Sequence, residues 1–139
     1  MREVYPVRRP PIPRAGRGYG RAVIFHIAEV ADWAAARAAG SYRISTRGRT
    51  LDVEGFIHAA RREQILDVAE RWYADAGPLL VLSIDPDRLS SPVREEEVAP
   101  GVTYPHVYGP IDLSAVVGVA PLERGPGGDF VLPAAASGV

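Results

Sequence analysis

The stretch "LLVLSI", residues 79 to 84, lies between Gly77-Pro78 and Asp85-Pro86. Proline near either end stops a regular element, and a short run rich in leucine, valine and isoleucine reads as a strand rather than a helix. It is expected to be a buried strand closed by an Asp-Pro turn, and the rest of the chain has to cover it. "RAVIFHI" (21–27), rich in β-branched and aromatic residues, is a second strand. In "EVADWAAARAAG" (29–40), Val30, Trp33, Ala34 and Arg37 recur at helical spacing and Gly40 is placed to end the helix. A polar loop leads to a short strand, "GFIH". "RREQILDVAERWYADAG" (61–77) then puts Ile65, Val68, Ala69 and Trp72 on one helical face. "SPVREEEV" reads as an edge strand and "LSAVVGVAPL" as a last apolar strand. Two helices among five or six strands, without repeats or strict β-α alternation, predict an α+β domain.

With 139 residues and 47% hydrophobic content, the chain suits one domain. Its boundaries are expected at 21 and 123. Residues 1–20, with prolines at 6, 10, 11 and 13, read as a basic arm or an ordinary extended leader, and 124–139, rich in Gly, Pro and Ala, as a matching tail. The absence of cysteine excludes disulfides, thiolate metal sites and a cysteine nucleophile. No apolar run approaches the roughly 20 residues that span a bilayer, so no membrane contact and a cytoplasmic location are expected. The net charge of −1 gives no global case for nucleic acid. All the basic residues are arginine, so arginine placement carries more information than arginine number.

The chain has three histidines, each in a short apolar or aromatic run: His26 in "VIFHIAE", His58 in "EGFIHAA" and His106 in "TYPHVYGPI". Three imidazoles and a water make a known zinc arrangement, but the spacings carry no local ligand signature. Each histidine reads equally as a hydrogen-bonded core residue or as an acid-base group. In the last motif Pro105 and Gly109-Pro110 hold His106 and Tyr108 on one strand face, which suits either a rigid binding site or a sharp corner with Tyr108 bonding back to the chain. In "REEE", Arg94 and Glu96 share one strand face and Glu95 and Glu97 the other, so one pair alone can face a site. Without further context this run is a solvated edge that discourages aggregation.

The order "IFHI", a tryptophan, a tyrosine two residues after a glycine, "EGFIH", "LLVLSID" and "YPHVYGPI" resembles the DUF952 family of small bacterial proteins, over residues 23 to 122. The resemblance implies an ADP-ribosyltransferase-like fold: two small, mostly antiparallel sheets around a cleft that holds NAD in active members of the superfamily. It implies that His26 contacts the adenosine side of the dinucleotide and that His58 takes the second position, as in RNA 2′-phosphotransferases. His106 and Glu96 fall at the third position and become candidate catalytic groups. Tyr42 and Tyr108 become candidate ligand contacts. Arg43 and Arg47, clustered with Arg49, are placed either to clamp a pyrophosphate or to form a solvated loop. Relatives carry Cys-Ser after the "GFIH" histidine where this chain has Ala59-Ala60, and that serine reads either as a ligand contact or as a helix N-cap.

Breaking a nicotinamide–ribose bond develops positive charge on the sugar. Glu96 would offset that charge and the histidines would orient the hydroxyls. The expected function is accordingly an NAD- or nucleotide-binding enzyme of the ADP-ribosyltransferase or 2′-phosphotransferase type, with NAD as cofactor and no metal. Two other readings stand beside it: a non-catalytic module that binds a phosphorylated or nucleotide metabolite, and a three-histidine metal hydrolase or lyase. Acceptor and oligomeric state are not encoded in any motif.

Overall fold

The structure, a computed structural model, describes residues 21–134. The arm expected over 1–20 lies outside the described residues. In chain order the elements are β1 (Ile24–Glu29), α1 (Val30–Ala39), β2 (Ser41–Tyr42), β3 (Ile44–Thr46), β4 (Arg49–Thr50), a single turn α2 (Leu51–Glu54), β5 (Ile57–His58), α3 (Ile65–Trp72), β6 (Leu79–Ile84), β7 (Val93–Ala99), β8 (Val102–Val107), β9 (Ile111–Asp112), β10 (Val116–Pro121), β11 (Glu123–Arg124) and β12 (Phe130–Val131). The α+β class holds.

The apolar run in β6 is the centre of a three-stranded antiparallel sheet, β1-β6-β10. Leu80, Leu82 and Ile84 join Ile24 and Ala28 in one core, whereas Leu79 and Val81 join Phe25 and Ile27 in another. Both faces are covered, which is why β6 lacks polar alternation. The first core is completed by Tyr42, Ile57, Val107 and Ile111, the second by Ile65, Ala69, Tyr73 and Phe130. A second three-stranded antiparallel sheet, β5-β8-β7, turns Ile57 and Val107 into the first core. The two sheets meet where Phe25 and Ala60 exchange backbone hydrogen bonds of 2.8 Å in each direction. β7 is an edge strand, as expected.

Several local expectations need correction. On α1 the packed residues are Trp33 and Ala36, while Val30, Ala34 and Arg37 are exposed. The helix follows β1 without a spacer, and a narrow stripe of one aromatic and one small residue is all it buries. Gly40 ends it as expected, with φ 98° and its N–H bonded to Ala36 O. α3 buries Ile65 and Ala69, but Trp72 is 59% exposed. The helix stops at Trp72, and Tyr73, beyond its end, turns inward and donates to Ile27 O at 3.4 Å. Ala60 is not an N-cap position: its backbone is used by Phe25, and the following helical turn is opened by Arg61, whose N–H donates to Gln64 Oε1 at 2.9 Å. The C-terminal stretch is no tail as far as residue 134. β11 and β12 form a hairpin, Phe130 packs in the second core, and the Arg124 guanidinium lies 4.0 Å over its ring.

Candidate functional site

β8 is the axis of the site. His106 is paired in register with His58 on β5 and with Arg94 on β7, so the three side chains form a row across one sheet face. Their neighbours Ile57 and Val107 point the opposite way, into the core. Glu96, two residues along β7, shares the face of Arg94 and reaches His106 diagonally: His106 Nδ1–H donates to Glu96 Oε1 at 2.6 Å. Tyr108, one residue past β8, donates its hydroxyl to the same carboxylate, 2.6 Å from Oε1 and 2.8 Å from Oε2. Tyr108 thus does bond back to the chain, and its partner is a candidate catalytic group. Its backbone N–H is fixed on Pro92 O.

Glu96 is 7% exposed and His106 4%. A carboxylate so deeply placed needs donors, and His106 and Tyr108 supply them. Because a carboxylate only accepts, the bond fixes the neutral imidazole as the Nδ1–H tautomer and leaves a lone pair on Nε2. Burial lowers the His106 pKa, against the opposing pull of Glu96. Nε2 is buried and has no hydrogen-bond partner among the described residues. Leaving such an acceptor unpaired costs about 1–3 kcal/mol. The arrangement is that of an imidazole base oriented by a carboxylate.

Aromatic rings enclose this base. Phe56 stacks on His106 with centroids 4.2 Å apart and an interplanar angle of 22°. His58 stands edge-on to both, 4.8 Å from Phe56 and 5.1 Å from His106. His58 is half-buried, and burial together with His106 pushes its pKa down to about 4, with Glu54 opposing and Arg49 assisting. Arg94 lies 5.1 Å over the Tyr108 ring.

Among the residues expected from sequence, His58, His106, Glu96 and Tyr108 come together here. His26 and Tyr42 come together elsewhere, in the core beneath the sheet junction. His26 is 3% exposed; its Nδ1–H donates to His58 O at 2.5 Å and its Nε2 accepts the Tyr42 hydroxyl at 2.8 Å. Burial pushes the His26 pKa down to about 4 and the Tyr42 phenol up, so the pair stays neutral. With both nitrogens occupied, His26 has none to offer a ligand or metal, and it holds the backbone that carries His58. Among the described residues no group of three or more histidine, aspartate or glutamate side chains is arranged around a metal position. Arg43 is paired with Asp52 at 3.0 Å, and Arg47 with Asp75 at 2.6 Å and Glu29 at 3.8 Å. The arginine whose charge reaches His58 is Arg49, which is paired with Glu54. Phe56 and Glu54 were missed as site residues, although both lie within or beside the "EGFIH" motif. Glu54 lay in the stretch read as a loop, and the strand reading put Phe56 on the face of His58 without saying which strand pairs there.

A family model described as "Protein of unknown function (DUF952)" matches residues 27–119, a span that holds His58, Glu96, His106 and Tyr108 and begins one residue after His26. The crystal structure of protein CC0527 from Caulobacter crescentus is similar, at 29% identity and a TM-score of 0.70, covering 80% of this chain and 95% of that one. The solution structure of CC0527 is similar at 28% identity and a TM-score of 0.57, over 77% of this chain and 90% of that one. No curated protein matches. Among the described residues no helix is long and apolar enough to cross a membrane.

Proposed function

The chain belongs to the DUF952 family, and from that premise we propose that the His58–His106 face is the site of a transfer reaction of the ADP-ribosyltransferase or 2′-phosphotransferase type, with NAD as the nucleotide. The pair of three-stranded sheets joined at Phe25 and Ala60 supports reading the fold as ADP-ribosyltransferase-like. The observation that carries the function is the buried Glu96–His106 pair, whose Nε2 is a buried proton acceptor with no partner among the described residues. NAD would supply the labile nicotinamide–ribose bond. Nε2 of His106 would take the proton from the attacking acceptor oxygen, and the nearby Glu96 charge would offset positive charge growing on the sugar. Neutral His58 would orient a hydroxyl, and His26 would act one step back by holding the His58 backbone. Arg43 and Arg47 have partners already, so a role for them on a pyrophosphate requires exchange of Asp52 and Asp75 for the ligand.

Calorimetric titration with NAD tests this reading, followed by an assay of nicotinamide release. Saturable binding is expected in the wild type, with a loss of about tenfold or more in folded His58→Ala, the size of one lost polar contact to a ligand. Glu96→Gln should keep most of the binding and abolish release. Absence of binding at millimolar NAD sinks the proposal. Binding without release in the wild type assigns the face to the non-catalytic module instead.

A further inference from the structure

The face that carries His58, His106 and Glu96 ends on β7 at Arg94, which is exposed and paired in register with His106. Three carboxylates follow it on the same strand, and none of them takes its charge. Glu95 and Glu97 point to the opposite face, where Glu95 pairs with Arg61 at 2.8 Å and Glu97 accepts the Gly101 N–H at 2.7 Å. Glu96 shares the Arg94 face but is turned to His106 and Tyr108. What Arg94 does meet is the Tyr108 ring, with 5.1 Å between the guanidinium carbon and the ring centroid. Arg49, the other arginine near this face, is neutralised by Glu54. Among the described residues, Arg94 is therefore the one cation on the face with no carboxylate at ion-pair distance.

We infer that Arg94 is the anion contact of this site: it binds an oxyanion group of the ligand, a phosphate or a carboxylate, and so decides which end of the ligand faces the base. The inference rests on the reading of this face as the functional site, but not on the ligand being NAD. The face is polarised. Its buried part holds the Glu96 carboxylate beside His106 and His58, both kept neutral by burial, and its rim holds the guanidinium. A negative group is repelled by Glu96 and attracted by Arg94, so it stays at the rim, and an uncharged or electron-poor part of the ligand turns toward His106 and Glu96. A guanidinium resting on an aromatic ring keeps N–H groups for a second partner, and their fork matches two oxygens of a phosphate or carboxylate. The same tyrosine gives its hydroxyl to Glu96, so one side chain spaces the cation from the carboxylate before a ligand arrives. Because Arg94 is exposed, the anion reaches it without any rearrangement of the fold.

The test is a titration of the full-length protein with inorganic phosphate at neutral pH, ionic strength being held constant with chloride. Nitrogen-proton spectra of the arginine Nε–H groups and of the imidazoles give the readout. In the wild type the Arg94 and His106 signals should shift together and saturate, whereas Arg37, exposed on α1, should not respond. Arg94→Gln, read through His106, should weaken phosphate binding about tenfold or more, the loss of one charge-assisted contact. Arg94→Lys keeps the charge without the fork and should fall between the two. A parallel titration with acetate separates the two oxyanions: tighter phosphate assigns a phosphate group of the ligand, and tighter acetate assigns a carboxylate. No response at Arg94 to either anion, unsaturated shifts shared equally by Arg94 and Arg37, or unchanged affinity in folded Arg94→Gln would each overturn the inference. NAD binding is measured separately. Phosphate held at Arg94 without NAD affinity leaves this conclusion standing and removes the other, and NAD bound equally by wild type and Arg94→Gln does the reverse.

Discussion

His26 and His106 each give Nδ1–H to an oxygen, and the difference between them lies at Nε2. In His26 that atom accepts the Tyr42 hydroxyl; in His106 it has no partner among the described residues. Removing the satisfied ring should therefore be felt in folding. His26→Ala leaves the Tyr42 hydroxyl and the His58 carbonyl unpaired and opens a void, a loss of about 2–4 kcal/mol. Tyr42→Phe removes one hydrogen bond and should cost about 1–2 kcal/mol. Urea unfolding of both variants checks the order, and a stable, well-folded His26→Ala protein that merely lost ligand affinity would return His26 to direct ligand contact. The complementary change is at Glu96. In Glu96→Gln the amide oxygen can stand where Oε1 is and accept from both His106 Nδ1–H and the Tyr108 hydroxyl, while the amide N–H donates to the Tyr108 oxygen, so the change removes the charge and keeps the hydrogen bonds. The Nδ1–H tautomer should persist, which nitrogen-proton correlation spectra of the imidazole read directly. A switch to Nε2–H would mean that the charge of Glu96, not its position as an acceptor, sets the tautomer.

At the scale of elements, the segment from β8 to the turn after it explains the Gly-Pro that follows Tyr108. A Cβ on Gly109 would lie 2.3 Å from Ser91 Oγ and 2.9 Å from Ser91 Cβ, and the backbone there has φ 154°. Ser91 cannot easily swing away, because its hydroxyl donates to Pro110 O at 2.8 Å. Gly109→Ala should cost more than about 1 kcal/mol and displace Tyr108, loosening its hold on Glu96. A thermal melt measures the first effect and the His106 tautomer spectrum the second; a neutral substitution would show that this turn is not under steric constraint. The apolar runs of β1, β6 and β10 and the glycine ending α1 were legible in sequence because local chemistry alone decides them. Trp72 was not, since helical spacing assumes that the helix continues, and it ends at that residue. The hairpin of β11 and β12 was hidden by its Gly-Pro-Gly-Gly turn, which in isolation is indistinguishable from a tail. Phe130, a lone aromatic in that stretch, was the available signal. In the site, the alternation of Arg94 and Glu96 was readable from strand periodicity. The stack of Phe56 on His106 was not, because it depends on how a residue just before β5 folds over a strand fifty residues away.

Across the whole molecule, all three histidines are held neutral by burial: His26 and His58 are pushed down to about 4, and His106 is lowered as well. In the unfolded chain they titrate near 6.5. Between these values the unfolded state binds more protons than the native state, so stability rises with pH across the interval and falls as pH is lowered. The stability these groups contribute is fully present above about 6.5 and is lost progressively down to about 4. A shift of this size at His26 alone corresponds to roughly 3 kcal/mol. Two exposed carboxylates with lowered pKa values, Asp75 through its hydrogen bond from Arg47 and Glu63 through one from its own backbone N–H and then Arg61, act in the same direction but further down, near the ordinary carboxylate range. The two sources separate by pH window. Urea unfolding from pH 7 to pH 4 should show the midpoint falling well before the carboxylates titrate, and His26→Gln should flatten the slope between 6.5 and 5 by removing one of its causes. A midpoint constant from pH 6.5 to 5 would mean that the histidines are solvated in the native state, and the dry, neutral base on which the site depends would not exist.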